Sequence, residues 1–251
     1  MKFGIPQNIF AAIFAFSLPD KYQAAISGMS SAVIAKELSD GKLDLALIPS
    51  CDLFTHKELF ISKKAAISFD GELSNSYLYF NGGGAIDSFF MRGDVTSNDI
   101  ILSKLIFQEK LKKEITVTLD TGELDLENKN YIIAGGENFE DDLYKSGLSF
   151  SDQVADMLDA PYVNYLVAAK TKEAIEDFNK SLSALDKKIE DNIGKYLDSS
   201  GFDASVVSMI KSKLNQLYFE LTENEINGFE EMIRMPFYQG VLKDIIEVNF
   251  V

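Results

Sequence analysis

The sequence predicts an α/β chain folded as two small lobes with a helical C-terminal section. Three observations carry this. Short apolar strand segments alternate with helical segments up to about residue 160, the pattern of open, largely parallel sheets. The run Asn81-Gly82-Gly83-Gly84 interrupts that alternation near its middle. From Thr171 onward the apolar residues recur at helical rather than strand spacing. The expected division is residues 1–80 with 169–251 in the first lobe and its tail, and 81–168 in the second. Two lobes joined by extended crossings place a ligand in the cleft between them.

Taken in order, Lys2–Ile5 reads as a strand and Pro6-Gln7-Asn8 as a turn. Asn8 is placed to cap Ile9–Leu18, a helix apolar nearly all round and therefore buried. Tyr22–Ile26 reads as a second strand. Ser30 or Ser31 caps a helix running to Leu38, and Gly41 ends it. The apolar strand Leu43–Ile48 follows and stops at Pro49-Ser50, with extended pieces at Phe60-Ile61, Ala66–Phe69 and Tyr77–Phe80. A strand ending in a small polar turn is where an open α/β sheet places its ligand.

After the glycines, which lack the GxGxxG spacing of a dinucleotide fold, Asp87–Met91 is extended and Thr96-Ser97 caps a helix from Asn98 to about Lys112. Ile115–Leu119, Tyr131–Ala134 and Tyr162–Ala168 read as strands. Short helices are expected around Phe139–Tyr144 and Ser151–Leu158. Helical periodicity then runs through Lys172–Leu197, Gly201 breaks it, and a further helix is expected over Ala204–Phe219. Thr222 with Glu225 forms a capping box for the last helix.

Composition removes several functions. A net charge of -15 argues against nucleic-acid binding and disfavours an anionic membrane surface. A single cysteine, Cys51, allows no intrachain disulfide and no cysteine zinc cluster, and a single histidine, His56, allows no histidine pair. The acidic group Glu137, Glu140, Asp141 and Asp142 lacks an ordered ligand spacing and reads as a solvated helix start. No metal or cofactor is expected. Ile9–Phe16 has the apolar character of a signal-peptide core, but Lys2 is the only cation before it and Gly4, Pro6 and Asn8 interrupt the region. It is read as folded structure, and the protein as cytoplasmic. No apolar run approaches the ~20 residues that span a membrane.

Four stretches resemble one family, the chorismate dehydratases of the futalosine route to menaquinone. The first is Leu38, Gly41, Leu43-Asp44, Ala46-Leu47-Ile48 and Ser50, with Ile67 and Gly71 further on. The second is Thr96-Ser97 opening a helix, and the third is Ala160-Pro161-Tyr162-Val163. The last is Leu217–Thr222 with Glu225-Ile226, Gly228-Phe229 and Gly240. The resemblance implies a type II periplasmic-binding-protein fold. It also implies a lyase that eliminates water from chorismate to give 3-enolpyruvylbenzoate. The chain departs from the family at chemically important positions. Asn8 matches an active-site asparagine, but Ala11 or Ala12 stands where a proline belongs. Gly135-Gly136 stands where the family has Gly-Asp, and Asn75, flanked by Ser74 and Ser76, stands at a family serine. The chain has no tryptophan, and one family tryptophan falls near Val154. A related enzyme of that pathway, acting on cyclic dehypoxanthine futalosine, uses a histidine base that is missing here.

The candidate site follows. Asn8 is the candidate catalytic residue, or simply a helix cap. Ser50 ends the central strand; Asn75 and Ser76 face the expected cleft. Thr96 and Ser97 offer hydroxyls and free N–H groups to an anion at a helix start, or plain capping. Arg92, one of two arginines with Arg234, pairs with a ligand carboxylate or forms a surface salt bridge. Gly135 and Gly136 present N–H groups to a ligand or turn the chain. The expected partner is a small carboxylate. The alternative to the lyase is a non-catalytic or diverged solute-binding protein for a small carboxylic acid. The helix around Ile226–Ile233 and the apolar end from Ile245 to Val251 either pack back on the first lobe or form a homodimer contact.

Overall fold

The computed structural model describes residues 1–83 and 86–251, the side chain of Ser199 excepted. Gly84 of the glycine run lies outside the described residues. The chain builds two sheets. The first holds β1 (Phe3–Pro6), β2 (Ile26–Met29), β3 (Leu45–Pro49), β4 (Phe60–Phe69), β10 (Tyr162–Ala169) and β11 (Leu217–Glu220), in the order β11-β4-β10-β3-β1-β2, with β12 (Asn249–Phe250) on β4. The second holds β5 (Ser76–Tyr79), β6 (Ser88–Gly93), β7 (Thr116–Leu119), β8 (Tyr131–Ala134) and β9 (Leu148–Ser149), in the order β7-β6-β8-β5-β9. β2 and β3 run parallel to β1, and β7 and β8 parallel to β6. The carboxyl ends of both parallel sets meet at the cleft.

The lobe boundaries differ from those expected. Ser76–Tyr79 pairs with β8 and β9 in the second sheet, and Tyr162–Ala169 pairs with β3 and β4 in the first. The crossings are therefore the short segments 70–75 and 159–161. All eight residues of β10 are buried, which makes it the spine of the first lobe.

The helices pack on these sheets. Asn8 Oδ1 accepts from the N–H of Ala11 at 2.9 Å and starts α1 (Ile9–Ser17). Phe10 and Phe14 are fully buried, with Phe10 edge-on to Phe69 at 4.9 Å. A one-turn helix, α2 (Asp20–Gln23), takes the first two residues of the expected strand Tyr22–Ile26, because Pro19 presets the chain for helix entry, and the strand begins only at Ile26. α3 (Ser31–Ser39) is capped by Ser30. α4 (Ser97–Leu111) begins in a capping box of Thr96 and Asp99, and α5 (Phe150–Leu158) is capped by Ser149.

The expected continuous helix Lys172–Leu197 is two, α6 (Lys172–Ser181) and α7 (Leu185–Ser199), because Ala184 takes a left-handed conformation with φ 47°. The expected helix Ala204–Phe219 stops at α8 (Ala204–Ser212). Leu217 and Phe219 then point inward and Tyr218 and Glu220 outward, as the strand β11. α9 (Glu223–Tyr238) carries the Thr222–Glu225 capping box and packs on β10, and β12 pairs with β4. The C-terminal end thus folds back on the first lobe. No helix among the described residues is long and apolar enough to cross a membrane.

Candidate functional site

The two rims of the cleft are built from strand ends. Pro6–Asn8 after β1, Gly28–Ser31 at the end of β2 and Pro49–Cys51 after β3 form the first rim. Asn75-Ser76, Gly93-Asp94 and Ala134–Gly136 form the second. Two polar clusters tie these rims together.

In one cluster, the Asp94 carboxylate of the second lobe sits on the N-terminus of α3 in the first. It accepts from the Ser30 hydroxyl at 2.7 Å, the Ser31 hydroxyl at 2.6 Å and the Ser31 N–H at 3.0 Å. Behind it, the Tyr165 hydroxyl lies 3.3 Å from the Ser31 hydroxyl and accepts from Asn8 Nδ2 at 3.3 Å. Burial holds the Tyr165 phenol well above its ordinary pKa, so it stays neutral and can serve as both donor and acceptor.

In the other cluster, Asn98 at the start of α4 accepts from the Cys51 N–H at 2.7 Å and donates to the Asn164 carbonyl and side chain at 2.7 and 2.8 Å. Tyr162 donates to Asn164 Oδ1 at 2.9 Å. Burial raises the pKa of the neighbouring Asp99, against the pull of hydrogen bonds from Ser76 and Thr96. Burial likewise raises Asp52, against the Ser97 hydroxyl, and drives the Cys51 thiol far up, with Asp52 and Asp99 adding to it.

The space left open is a cavity of about 550 Å³ at the outer edge of the cleft. Its first wall is Ile5–Ile9 with Ala12 and Gly28. Its second is Gly136, Phe139 and Glu140. Gly201, Phe202, Asp203 and Val206, from the turn into α8, close it. The wall is largely apolar. Among the described residues no lysine, arginine or histidine lines it, whereas Glu140 and Asp203 do.

Of the residues singled out in the sequence, Asn8 and Gly136 border this cavity. The others are engaged elsewhere. Fully buried Ser50 donates to the Val163 carbonyl at 2.7 Å. Arg92 Nε donates to Glu137 at 2.9 Å and the guanidinium also bonds the Gly122 carbonyl, so it is an internal clamp of the second lobe rather than a ligand cation. The Thr96 hydroxyl is used in its capping box at 2.7 Å from Asp99, and Ser76 serves Asp99, whereas the buried Ser97 Oγ lies near Asp52 without a hydrogen bond of normal geometry. Asn75 is buried and its backbone carbonyl accepts from the Gly135 N–H at 2.8 Å, while its side-chain Oδ1 has no hydrogen-bond partner. Gly135, with φ 85° and ψ -147°, turns the chain out of β8.

Asp94, Tyr165, Asn98 and Asn164 were not singled out. They come from two stretches about 70 residues apart, around the start of α4 and within β10, and only an Asp two residues before a Thr-Ser helix start hints at one of them. The acidic group disperses: Glu137 pairs with Arg92 and Asp142 with Lys145.

No family model matches the sequence, and no curated protein matches it. Solved structures match over the whole chain. Protein AF1704 from Archaeoglobus fulgidus is 12% identical, with a TM-score of 0.68 over 96% of this chain and 98% of that one. The alkanesulfonate-binding protein SsuA from Xanthomonas axonopodis pv. citri, bound to MOPS, is 10% identical, with a TM-score of 0.63 over 100% and 97%. A Candida albicans gene product described as having the generic periplasmic binding protein structural fold is 11% identical, with a TM-score of 0.56 over 97% and 91%. The chain has a two-lobed, periplasmic-binding-protein-like fold. At these identities the likeness concerns the fold alone.

Proposed function

We propose that the protein is a non-catalytic, solute-binding-type protein that takes a small, mainly apolar, neutral or cationic molecule into the cavity between its lobes. The observation that carries this is the lining. Apolar side chains from both lobes and from the turn into α8 surround about 550 Å³, a size suited to a small organic ligand. The only charges on the wall are the carboxylates Glu140 and Asp203. A carboxylate ligand entering there would lose its hydration and meet like charge. Gln7 and Asn8 supply polar contacts that orient a ligand without requiring it to be charged.

A second reading is the chorismate dehydratase that the sequence resembles. Asn8 at the cavity edge favours it. Against it, chorismate carries two carboxylates, and Arg92 and the Thr96 hydroxyl are taken up inside the fold. One experiment separates the two. The purified protein is incubated with chorismate and assayed for 3-enolpyruvylbenzoate, and in parallel its melting temperature is read against a panel of small aromatic amines, neutral aromatics and carboxylates. Our reading expects no turnover and stabilisation by amines or neutral compounds. Turnover, or stabilisation by carboxylates alone, contradicts it.

A further inference from the structure

We propose that the Ser30-Ser31 turn is an oxyanion-binding site of the carboxylate class, and that its occupant in this chain is the chain's own Asp94. The inference stands apart from the nature of the cavity ligand.

The site has the parts that recognise a free carboxylate. Both oxygens of Asp94 are engaged: Oδ1 by the Ser30 hydroxyl at 2.7 Å and the Ser31 N–H at 3.0 Å, Oδ2 by the Ser31 hydroxyl at 2.6 Å and the same N–H at 3.0 Å. These are short, charge-assisted bonds, made at the start of a helix whose dipole favours negative charge. The receiving side is rigid. Ser31 is fully buried, and its hydroxyl is backed by the equally buried Tyr165, which Asn8 holds in turn.

The delivering side belongs to the opposite lobe. Asp94 follows Gly93, which has φ +80° and where a Cβ would stand 1.9 Å from the Ala134 carbonyl oxygen. Only glycine permits that bend, and the bend carries the carboxylate across the cleft. Asp94 thereby places a carboxylate that bridges the two lobes at the start of α3. Its presence keeps small oxyanions out of the cleft and ties the rims together without any ligand.

The test is chemical rescue. Asp94→Ala removes the carboxylate and leaves a space the size of formate. The melting temperature of the variant is compared in sodium formate and in sodium chloride of equal ionic strength, beside wild type and the double variant Asp94→Ala/Ser31→Ala. We expect formate at tens of millimolar to raise the single variant by at least ~3 °C over chloride, a shift equivalent to roughly 1 kcal/mol for a chain of this size. Wild type, with the site filled, and the double variant, with a donor lost, should not respond. No formate-specific rise in Asp94→Ala, or an equal rise in all three proteins, overturns the proposal. Should Asp94→Ala fail to fold, Asp94→Asn keeps the shape and loses the charge. The proposal requires it to melt at least ~3 °C below wild type, and equal melting overturns it.

Discussion

The inner and outer parts of the cleft are built on opposite principles. In the inner part, Asp94, Ser31, Tyr165, Cys51, Asn98 and Asn164 hydrogen-bond one another across the lobes, and among the described residues only Asn75 Oδ1 and Ser97 Oγ on the second rim stay without a partner. In the outer part, Phe139, Phe202, Val206, Ile5 and Ile9 surround open space, with carboxylates as the only charges. A cleft that recognised a small acid would spend its serine hydroxyls and helix N-termini on that acid. Here most of them are spent on the chain's own side chains, and the space that remains is lined mainly by apolar surface. On the proposed reading, recognition and the tie between the rims fall to different parts of the cleft.

The largest expected effect breaks the inner part at its backbone. Gly93→Ala places a Cβ 1.9 Å from the Ala134 carbonyl oxygen at φ +80°, and should cost about 3 kcal/mol in chemical denaturation. A loss below 1 kcal/mol would mean that the bend delivering Asp94 is not obligatory.

Next, Asn98→Ala removes the acceptor of the Cys51 N–H and the donor to the Asn164 carbonyl, a loss of roughly 2 kcal/mol for buried polar groups left unpaired. It should also speed labelling of the Cys51 thiol by a maleimide, since in wild type the thiol is buried and its pKa is pushed far up. Unchanged labelling would show that Asn98 does not hold the rims together.

A third effect lies away from the cleft and serves as a contrast to it. Burial holds the Asp186 carboxyl up at about 6 against an ordinary 3.8, although the N–H groups of Phe219 and Glu220 bond to it. The native state therefore binds this proton more tightly than the unfolded chain does. The associated stability is full below pH ~4 and is lost as pH rises through ~6. Asp186→Asn, permanently neutral, should lose less stability than wild type between those two values. Parallel profiles would remove Asp186 from the account.

The smallest effect on stability should come from the outer part. Ala12→Phe fills the cavity from the solvent-facing side of α1 and should leave the melting temperature within a few degrees while abolishing ligand binding. Retained binding would place the ligand elsewhere.

Much of the fold was legible because its local signals agree with the tertiary result. Asn8, Ser30, Thr96 and Thr222 cap the helices they precede in sequence, and Leu45–Pro49 is buried throughout, as a central strand should be. The errors arise where local pattern underdetermines structure. Leu217–Glu220 follows a helix with only four residues of alternation, too few to separate period two from helical spacing. The break between α6 and α7 depends on Ala184 adopting φ 47°, which no residue type announces.

The site was the least legible part. Asn8 and Gly136 reach the cavity, but Ser50, Arg92 and Thr96 carry the right chemistry and spend it internally. Whether a hydroxyl faces a ligand or a neighbouring carbonyl is decided by partners more than 100 residues away, as with Ser50 and Val163. The residues that close the inner cleft lie on α3, after β3, after β6, on α4 and on β10, and come together only across the two lobes.

The central claim is that the cavity admits an apolar molecule and rejects an anion. Titration calorimetry of the wild-type protein with phenethylamine and with 3-phenylpropionate, an aromatic pair of similar size and opposite charge, tests it most directly. The account predicts saturable binding of the amine and none of the acid. Tighter binding of 3-phenylpropionate would contradict it.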